Sequence, residues 1–462
     1  MDNQRPMRRH PRRKPKGLWQ TPVRPLILLA AVLLVVIVTL ESFVPAEPVQ
    51  PVTATPTEDP AAFVTFPTEP EPSQPADGVV ATATIGAMGD LILHDRIIEG
   101  GKKSNGIYNF DNIFSYIKEY VSAVDYAVIN MEGTLAGDSN GYEYKGYPRF
   151  NAPDAIVDAA KAAGFDMMLT ANNHSYDTGT VGFTRTQQTI AGRGLDYTGT
   201  RLHESAPNYL IRDIGGIKVG MSSYTFDTGT NANGSKTINS ISLTTADSKL
   251  INTFNNWTPD DLYTSLEPEI QAMKEAGAEC IVLFIHWGTE YNTAPNDRQH
   301  QMAQKLCDMG VDVIVGSHPH VVQPVELLTS ASGHTTLCLY SLGNAVSNIR
   351  TEDGYGAHTE DGMLFTFDLV KYQDGTVLVE QAEILPTWVD RHVSAETGRE
   401  VFAILPLDQS VEWQETYSLS NTGLENVRDS FDRTQAVIGD CLNAVNTSLA
   451  RQQAQVEAAF AQ

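Results

Sequence analysis

The chain has 462 residues, 42% of them hydrophobic and 19% charged, with a net charge of −24. That length exceeds one minimal domain, and that composition can supply a sizeable core. Residues 1–24 hold eight basic residues against one acidic, so the remainder carries −31; a body so acidic excludes a nucleic-acid partner, because phosphate binding needs positive surface.

The basic segment 1–24 precedes an apolar run from Leu26 to Leu40 that extends to Val44 across Glu41. A spanning helix takes about 20 apolar residues, so a signal-peptide core is the competing reading. No small-x-small cleavage site and no lipid-accepting cysteine come after the run, which favours an uncleaved transmembrane anchor over 25–44. The positive-inside rule leaves 1–24 in the cytoplasm and everything from 45 onward outside the cytoplasmic membrane, a single-pass arrangement. Residues 45–78 are rich in Pro, Thr, Ala and Glu without periodicity, the composition of an extended linker. The cysteines, Cys280, Cys307, Cys338 and Cys441, show no metal or redox spacing, so this is not a disulfide scaffold.

The folded part begins near Val79 with a strand to Met88, ending in Gly89-Asp90, with His94 four residues on. Ile113, Phe114, Ile117, Tyr120, Val121 and Val124 repeat at helical spacing. A strand from Tyr126 to Ile129 ends in Asn130-Met131-Glu132-Gly133, and a polar loop covers Asp138 to Phe150. Pro153 opens a helix that Gly164 stops. Phe165 to Thr170 is a strand ending in Asn172-Asn173-His174, and a helix occupies Gly182 to Ala191. Tyr209 to Ile214 and Ile217 to Tyr224 flank Gly215-Gly216 as a hairpin. Residues 227–262 are polar and carry no clear pattern; a helix runs from Pro268 to Ala276.

The run Cys280 to Ile285 is a buried strand delivering His286 and then Trp287, Glu290 and Tyr291, which line a cleft or pack the loop. Asp297 to Met309 is helical, Val311 to Val315 is a strand ending in Gly316-Ser317-His318-Pro319-His320, and Thr336 to Ser341 is a strand ending in Gly343-Asn344. Met363 to Leu369 and Thr376 to Leu385 form a late β pair, and the polar sequence after Pro406 is helix-prone.

Five hydrophobic runs thus end in metal-competent side chains: Asp90 with His94, Glu132, Asn173 with His174, His286, and His318 with His320. Each has a plainer reading as a turn, cap or core residue, Asp177 among them, either a turn residue or the orienter of His174. In extended chain His318 and His320 point the same way. Helices between the strands make them parallel and gather their ends. Carboxylate, imidazole and amide ligands without thiolate suit Mn, Fe or Zn in a divalent site. The number of candidates suits two ions about 3.5–4 Å apart.

Gly89-Asp90, Asn130-x-Glu132, Ala171-Asn172-Asn173-His174 with Asp177 and Gly179, His286-Trp287-Gly288 with Glu290-Tyr291, Gly316-Ser317-His318-Pro319-His320 and Ser341-Leu342-Gly343-Asn344 together resemble the CapA family of capsule (poly-γ-glutamate) synthesis proteins, from about Ala83 to Pro386. That family is similar in fold to calcineurin-like metallophosphatases. The resemblance implies an α/β fold, a two-sheet α/β/β/α sandwich of metallophosphatase type over 79–390, preceded by the N-terminal transmembrane helix and succeeded by a partly helical extension, 391–462. It implies one ion on Asp90, His94 and His320, another on Asn173, His286 and His318, and Glu132 bridging, with His174 as the proton donor to a leaving group. Two departures stand out: the phosphatase pattern has Asp-x-His where here the histidine lies four residues after Asp90, and Gly-Asp where here Glu132 comes after Asn130. The implied partners are a membrane polymer synthase complex, an anionic polymer and the cytoplasmic membrane. The function the resemblance implies is metal-dependent hydrolysis or transfer in capsule or envelope polymer metabolism; the alternative is a non-catalytic polymer-handling partner. Lys145 and Arg149 are candidates for a local basic patch in the acidic body, or plain surface charges.

Overall fold

Residues 78–395 and 397–460 are described by the computed structural model. The basic segment, the apolar anchor and nearly all of the Pro-rich linker read from the sequence lie outside those residues. Among the described residues no helix is long and apolar enough to cross a membrane.

The strands are β1 (Val79–Leu91), β2 (Tyr126–Met131), β3 (Met167–Leu169), β4 (Asp196–Thr198), β5 (Leu210–Ile214), β6 (Ile217–Asp227), β7 (Thr237–Ile238), β8 (Ile241–Ser242), β9 (Thr253–Asn255), β10 (Cys280–His286), β11 (Val313–Ser317), β12 (Val322–Thr329), β13 (Thr335–Leu342), β14 (Asn344–Val346), β15 (Asp361–Tyr372), β16 (Val377–Val393) and β17 (Glu400–Pro406). The helices are α1 (Asp95–Gly101), α2 (Lys118–Ser122), α3 (Ala155–Ala162), α4 (Gly179–Gly192), α5 (Asp260–Glu275), α6 (Asp297–Asp308), α7 (Trp413–Thr416) and α8 (Asn421–Phe460). One sheet runs β17-β16-β15-β1-β2-β3-β4 with β14 beside β1; the other runs β12-β13-β11-β10-β6-β5 with β9 beside β6.

The two sheets face each other across a core that takes Ile85 and Ala87 from β1, Val128 from β2, Val282 and Phe284 from β10, and Val313 and Val315 from β11. The outer face of the first sheet packs Met88, Ile129 and Met168 against Ile156 and Val157 of α3 and Ile190 of α4. The outer face of the second packs Ile281, Leu283 and Ile285 against Leu262, Leu266 and Ile270 of α5 and Met302 and Leu306 of α6. The layering is therefore helix, sheet, sheet, helix, as the sequence implied.

Strand alternation aims the functional side chains. Successive residues face opposite sides of a sheet. In β10 the set Cys280, Val282, Phe284 faces the inter-sheet core, so His286 does too. In β2 Val128 faces inward, and Asn130 and then Glu132 continue with the same parity. In β11 Val313 and Val315 give the same direction to Ser317. On that count β1 would aim Gly89 inward and Asp90 out. Instead its register with β2 steps from Met88↔Ile129 to Asp90↔Asn130, a bulge that skips Gly89. A bulge reverses the facing of the residues beyond it, so Asp90 points into the site and Leu91 joins the outer core. Only glycine fits at the bulge, because a Cβ there would lie 1.9 Å from the carbonyl oxygen of Gly343.

The structure differs from the sequence reading in several elements. The helical spacing over 113–124 is realised as a 3-10 turn over Asp111–Phe114 and the short α2, which still bury Ile113, Phe114, Ile117 and Val121. Helix α5 begins at Asp260 and carries Pro268 in its interior; the stripe Leu262, Leu266, Ile270, Met273 outweighs the helix-breaking residue. Strands β12 and β17 are additions to the elements read from the sequence; β12 pairs with β13, and β17 with β16. The first sheet therefore continues past residue 390, the boundary drawn from the sequence. Beyond it α8 buries Val427, Ile438, Leu442, Val445 and Leu449 in one stripe, the last four of them in the inter-sheet core. It is further tied by Asn446, whose side-chain amide donates to Ala382 O (2.8 Å) and accepts from Ala382 N (3.0 Å).

Candidate metal centre

Strand ends from both sheets meet at one end of the sandwich. Glu132 lies between two imidazoles: its Oε1 is 3.7 Å from His286 Nε2 and 3.9 Å from His320 Nε2. Asp90 Oδ1 accepts from Asn130 Nδ2 (2.7 Å), and Asp90 Oδ2 accepts from the backbone N–H of His318 (3.2 Å) and lies 3.1 Å from His320 Nδ1. His286 Nε2 is 2.9 Å from Asn173 Oδ1, and its Nδ1 is 2.9 Å from Ser317 Oγ. Ligand atoms of Asp90, Glu132 and His286 all lie within 4.8 Å of one another, and so do those of Glu290, His318 and His320.

The turns that present these groups are specified locally. Asn172 accepts from the backbone N–H of His174 (3.1 Å), an Asx turn, while its own amide donates to Met131 O (2.8 Å). The turn reading of Asn172-Asn173-His174 is thus realised, and the same turn sets Asn173 Oδ1 beside His286 Nε2. His318 and His320 share the site, but not through extended backbone: their φ values are 97° and 57°. Such left-handed bulky residues store on the order of 1–3 kcal/mol each and persist only where surrounding contacts fix them. One such contact is the Tyr291 N–H, which donates to Pro319 O (2.7 Å) and brings Glu290 beside both histidines.

The electrostatics fit a cation. Both oxygens of Glu132 and His318 Nδ1 are buried without a hydrogen-bond partner, which is costly unless an ion meets them. Burial, with Asp90 and Glu290 adding repulsion, raises the Glu132 pKa well above the usual carboxylate range. Burial, then the neighbouring histidines, hold His286 and His318 well below the usual imidazole value, so both are neutral, ligand-competent rings. Burial also pulls His320 down, but its hydrogen bond to Asp90 and that carboxylate's charge carry it net upward. His286 Nε2, Asn173 Oδ1 and Glu132 Oε1 converge on one another, and when the His286 Nδ1–H is given to Ser317 Oγ the ring turns a lone pair at Nε2 toward the two oxygens. Carboxylate, neutral imidazole and amide donors in that arrangement are the chemistry of a divalent metal site.

Of the residues singled out in the sequence, Asp90, Glu132, Asn173, His286, His318 and His320 are brought together. His94 is not drawn into either cluster. It is half-buried on the cleft wall, its Nδ1 accepts from Asn348 N–H (3.1 Å), and burial lowers its pKa to about 4. His174 lies on the same wall with Nδ1 2.8 Å from Asp177 Oδ2. That carboxylate oxygen also accepts from the backbone N–H of Phe150 (2.6 Å), and the Phe150 ring packs edge-on against His174 and His94. Asn344 Oδ1 is 3.1 Å from His320 Nδ1. Two roles have no sequence signal, Ser317 as the partner of His286 and Phe226, whose ring lies 4.8 Å from that of His318. Of the group read as lining a cleft or packing the loop, Glu290 and Tyr291 line the cleft, Glu290 as a third donor beside two histidines, and Trp287 is buried against Tyr340.

Fold and site together define an α/β/β/α sandwich protein with a carboxylate–imidazole centre where both sheets end. The model of the family described as bacterial capsule synthesis protein PGA_cap matches residues 84–349, more than half of the chain, and the chain belongs to that family. It is 28% identical over 301 residues to the PGA biosynthesis protein CapA of Bacillus subtilis (strain 168), covering 64% of this chain and 70% of that one. It is 27% identical over 302 residues to the capsule biosynthesis protein CapA of Bacillus anthracis, covering 64% of this chain and 66% of that one, just under two thirds of its length. It is 26% identical over 239 residues to the probable polyglutamine synthesis accessory protein Rv0574c of Mycobacterium tuberculosis (strain ATCC 25618 / H37Rv), covering 51% and 58%.

Proposed function

We propose that this chain is a membrane-anchored, extracytoplasmic metal-dependent hydrolase or transferase acting on an anionic capsule or cell-envelope polymer beside a membrane polymer synthase. The observation that carries the reading is the trio of unpartnered buried atoms, both Glu132 oxygens and His318 Nδ1, beside neutral His286. Asp90 and His320 would hold one Mn, Fe or Zn ion, Asn173, His286 and His318 a second, and Glu132 both, an arrangement of the metallophosphatase type. When bound, such ions supply Lewis-acid charge at an oxygen of a phosphoryl or acyl centre. The other roles belong to the chain. Asp177 accepts from the His174 Nδ1–H and would steady the ring when it is protonated at both nitrogens, the form whose Nε2–H could pass to a leaving group. Phe150, packed against His174, keeps the ring's edge dry.

The relatives named CapA support a capsule setting, and the mycobacterial relative's name, an accessory protein of polymer synthesis, favours a second reading, a non-catalytic polymer-handling partner. Metal analysis of the purified full chain separates the two. Two equivalents of metal that disappear in His318→Ala and His286→Ala, with turnover of a phosphodiester, a phosphomonoester or γ-linked glutamyl polymer, support the enzyme. A metal-free protein that binds polymer supports the partner, and a protein that takes neither metal nor polymer refutes both.

A further inference from the structure

The cleft above the centre has a volume of about 730 Å³ and is lined by Glu132, Glu290 and Asp353 among its acids; Arg149 is the one lysine or arginine among the described lining residues. Arg149 is exposed and makes no hydrogen bond or ion pair within the described residues. Arg185, Arg212 and Arg433 are matched, with Asp154, Asp196 and Asp361, whereas Arg428 and Arg451 of α8 are also unmatched within the described residues but do not line the cleft. A guanidinium left unmatched on the wall of an otherwise acidic cleft is a ready receptor for an anion brought from outside.

Its backbone is fixed beforehand. The next residue, Phe150, gives its N–H to Asp177 Oδ2 (2.6 Å), and its carbonyl accepts from Thr134 Oγ1 (2.6 Å). Asn151 then donates to Gly137 O and Glu143 O (2.8 Å each) and accepts from Ala136 N (2.7 Å). One carboxylate, Asp177, thereby locks both the cleft histidine His174 and the loop that carries Arg149. Binding an anion at Arg149 then orders one side chain rather than a loop, which keeps the entropic cost small. Exposed aromatic rings line the same cleft: Tyr147 beside Arg149, and Tyr291 packed 5.2 Å from Tyr355. They offer flat apolar surface to the uncharged stretches of a chain molecule.

We propose that Arg149 is the specificity anchor of the cleft. It takes an oxyanion, carboxylate or phosphate, carried by a polymer that lies across the tyrosines and reaches the metal centre. This rests on the reading above that the cleft works on an anionic polymer. The planar fork of arginine pairs two oxygens at once, and lysine does not reproduce that.

The test is equilibrium binding, with Mn²⁺ present, of two fluorescent probes, a γ-linked glutamate decamer and a glycerol-phosphate decamer. The proteins are the full chain and its Arg149→Ala, Arg149→Lys and Lys145→Ala variants; Lys145 is exposed and does not line the cleft. Mn²⁺ binding is titrated separately for each. The expected result is about tenfold or greater weakening in Arg149→Ala. An intermediate loss is expected in Arg149→Lys and none in Lys145→Ala, with Mn²⁺ affinity the same throughout. The probe that shows the loss identifies the oxyanion. Wild-type affinity retained by Arg149→Ala overturns the anchor and leaves the polymer reading standing. Equal losses in Lys145→Ala and Arg149→Ala mean diffuse charge attraction and also overturn it. A wild-type chain that binds neither probe overturns the polymer reading itself, and the anchor with it.

Discussion

Glu132 keeps two carboxylate oxygens buried with nothing to bond them. Without a cation the group is either a charge in low dielectric or a proton-bearing acid with idle lone pairs, and both are unfavourable. Metal binding should therefore stabilise the fold. At about 100 times Kd the gain is about 2.7 kcal/mol, and thermal unfolding with Mn²⁺ or Zn²⁺ should shift upward by several degrees and return with EDTA. Glu132→Gln keeps the shape but not the charge, so its unfolding temperature should respond much less to metal; equal shifts in both proteins would remove Glu132 from the centre. Asp177 makes a different prediction. Its Oδ2 serves the Phe150 N–H and the His174 ring together. Asp177→Ala leaves two buried donors unpaired, at about 1–3 kcal/mol each. Urea unfolding should show a loss of about 2–6 kcal/mol, and a loss under about 0.5 kcal/mol, the range of an ordinary surface change, would mean that water replaces the carboxylate.

At the scale of elements, one extra residue in β1 decides whether Asp90 faces the site or the helices. Gly89→Ala would drive a Cβ onto the Gly343 carbonyl, so the bulge must shift and Asp90 with it. The variant should lose about 1–3 kcal/mol and bind Mn²⁺ more weakly, whereas intact metal affinity would show that the bulge does not aim Asp90. Helix α8 gives a second case. Leu449 is 1% exposed, in the inter-sheet core, so Leu449→Ala should cost about 2–5 kcal/mol; a loss below about 1 kcal/mol would mark α8 as an appendage. Legibility in the chain obeys the same physics. The all-apolar β10 and the histidines after β10 and β11 stand out, because strands covered on both faces leave continuous apolar runs. Strand β12 is hidden because Pro324 and Glu326 interrupt Val322–Thr329. Helix α5 reads short because Pro268 looks like a start when its partners across the sandwich are unknown. Glu290 sits in a turn and Ser317 is the last residue of β11, and only the folded chain shows that one faces His318 and His320 and the other His286. Helix α8 carries its apolar stripe across Ser430 and Thr434, which dilutes the periodicity that marks a core-facing helix.

For the whole molecule, charge and chemistry have to be reconciled. Everything after residue 24 carries −31, so a polyanion is repelled at distances up to about the Debye length of 8–10 Å and is admitted only where a divalent ion or Arg149 offsets the field. On the function proposed above, such a body would stand beside a synthase that delivers the polymer directly, and the basic, apolar and Pro-rich segments before Val79 would tether it there, on the outer face. The four native cysteines suit a direct test of this topology. Cys280, Cys307 and Cys338 are buried and Cys441 is half-buried, and burial raises all four thiols above their ordinary pKa. Maleimides react with thiolates, so the native background should be low. A cysteine placed at Thr68 should then react with a membrane-impermeant maleimide in intact cells, and one placed at Gln4 only after lysis. The labelled chain should stay with the membrane pellet, whereas recovery in the medium would mean that the apolar segment is removed as a signal peptide. Labelling at Gln4 in intact cells, or protection at Thr68, would place the cleft on the wrong side of the membrane for an exported polymer and would overturn the anchored, outward-facing arrangement.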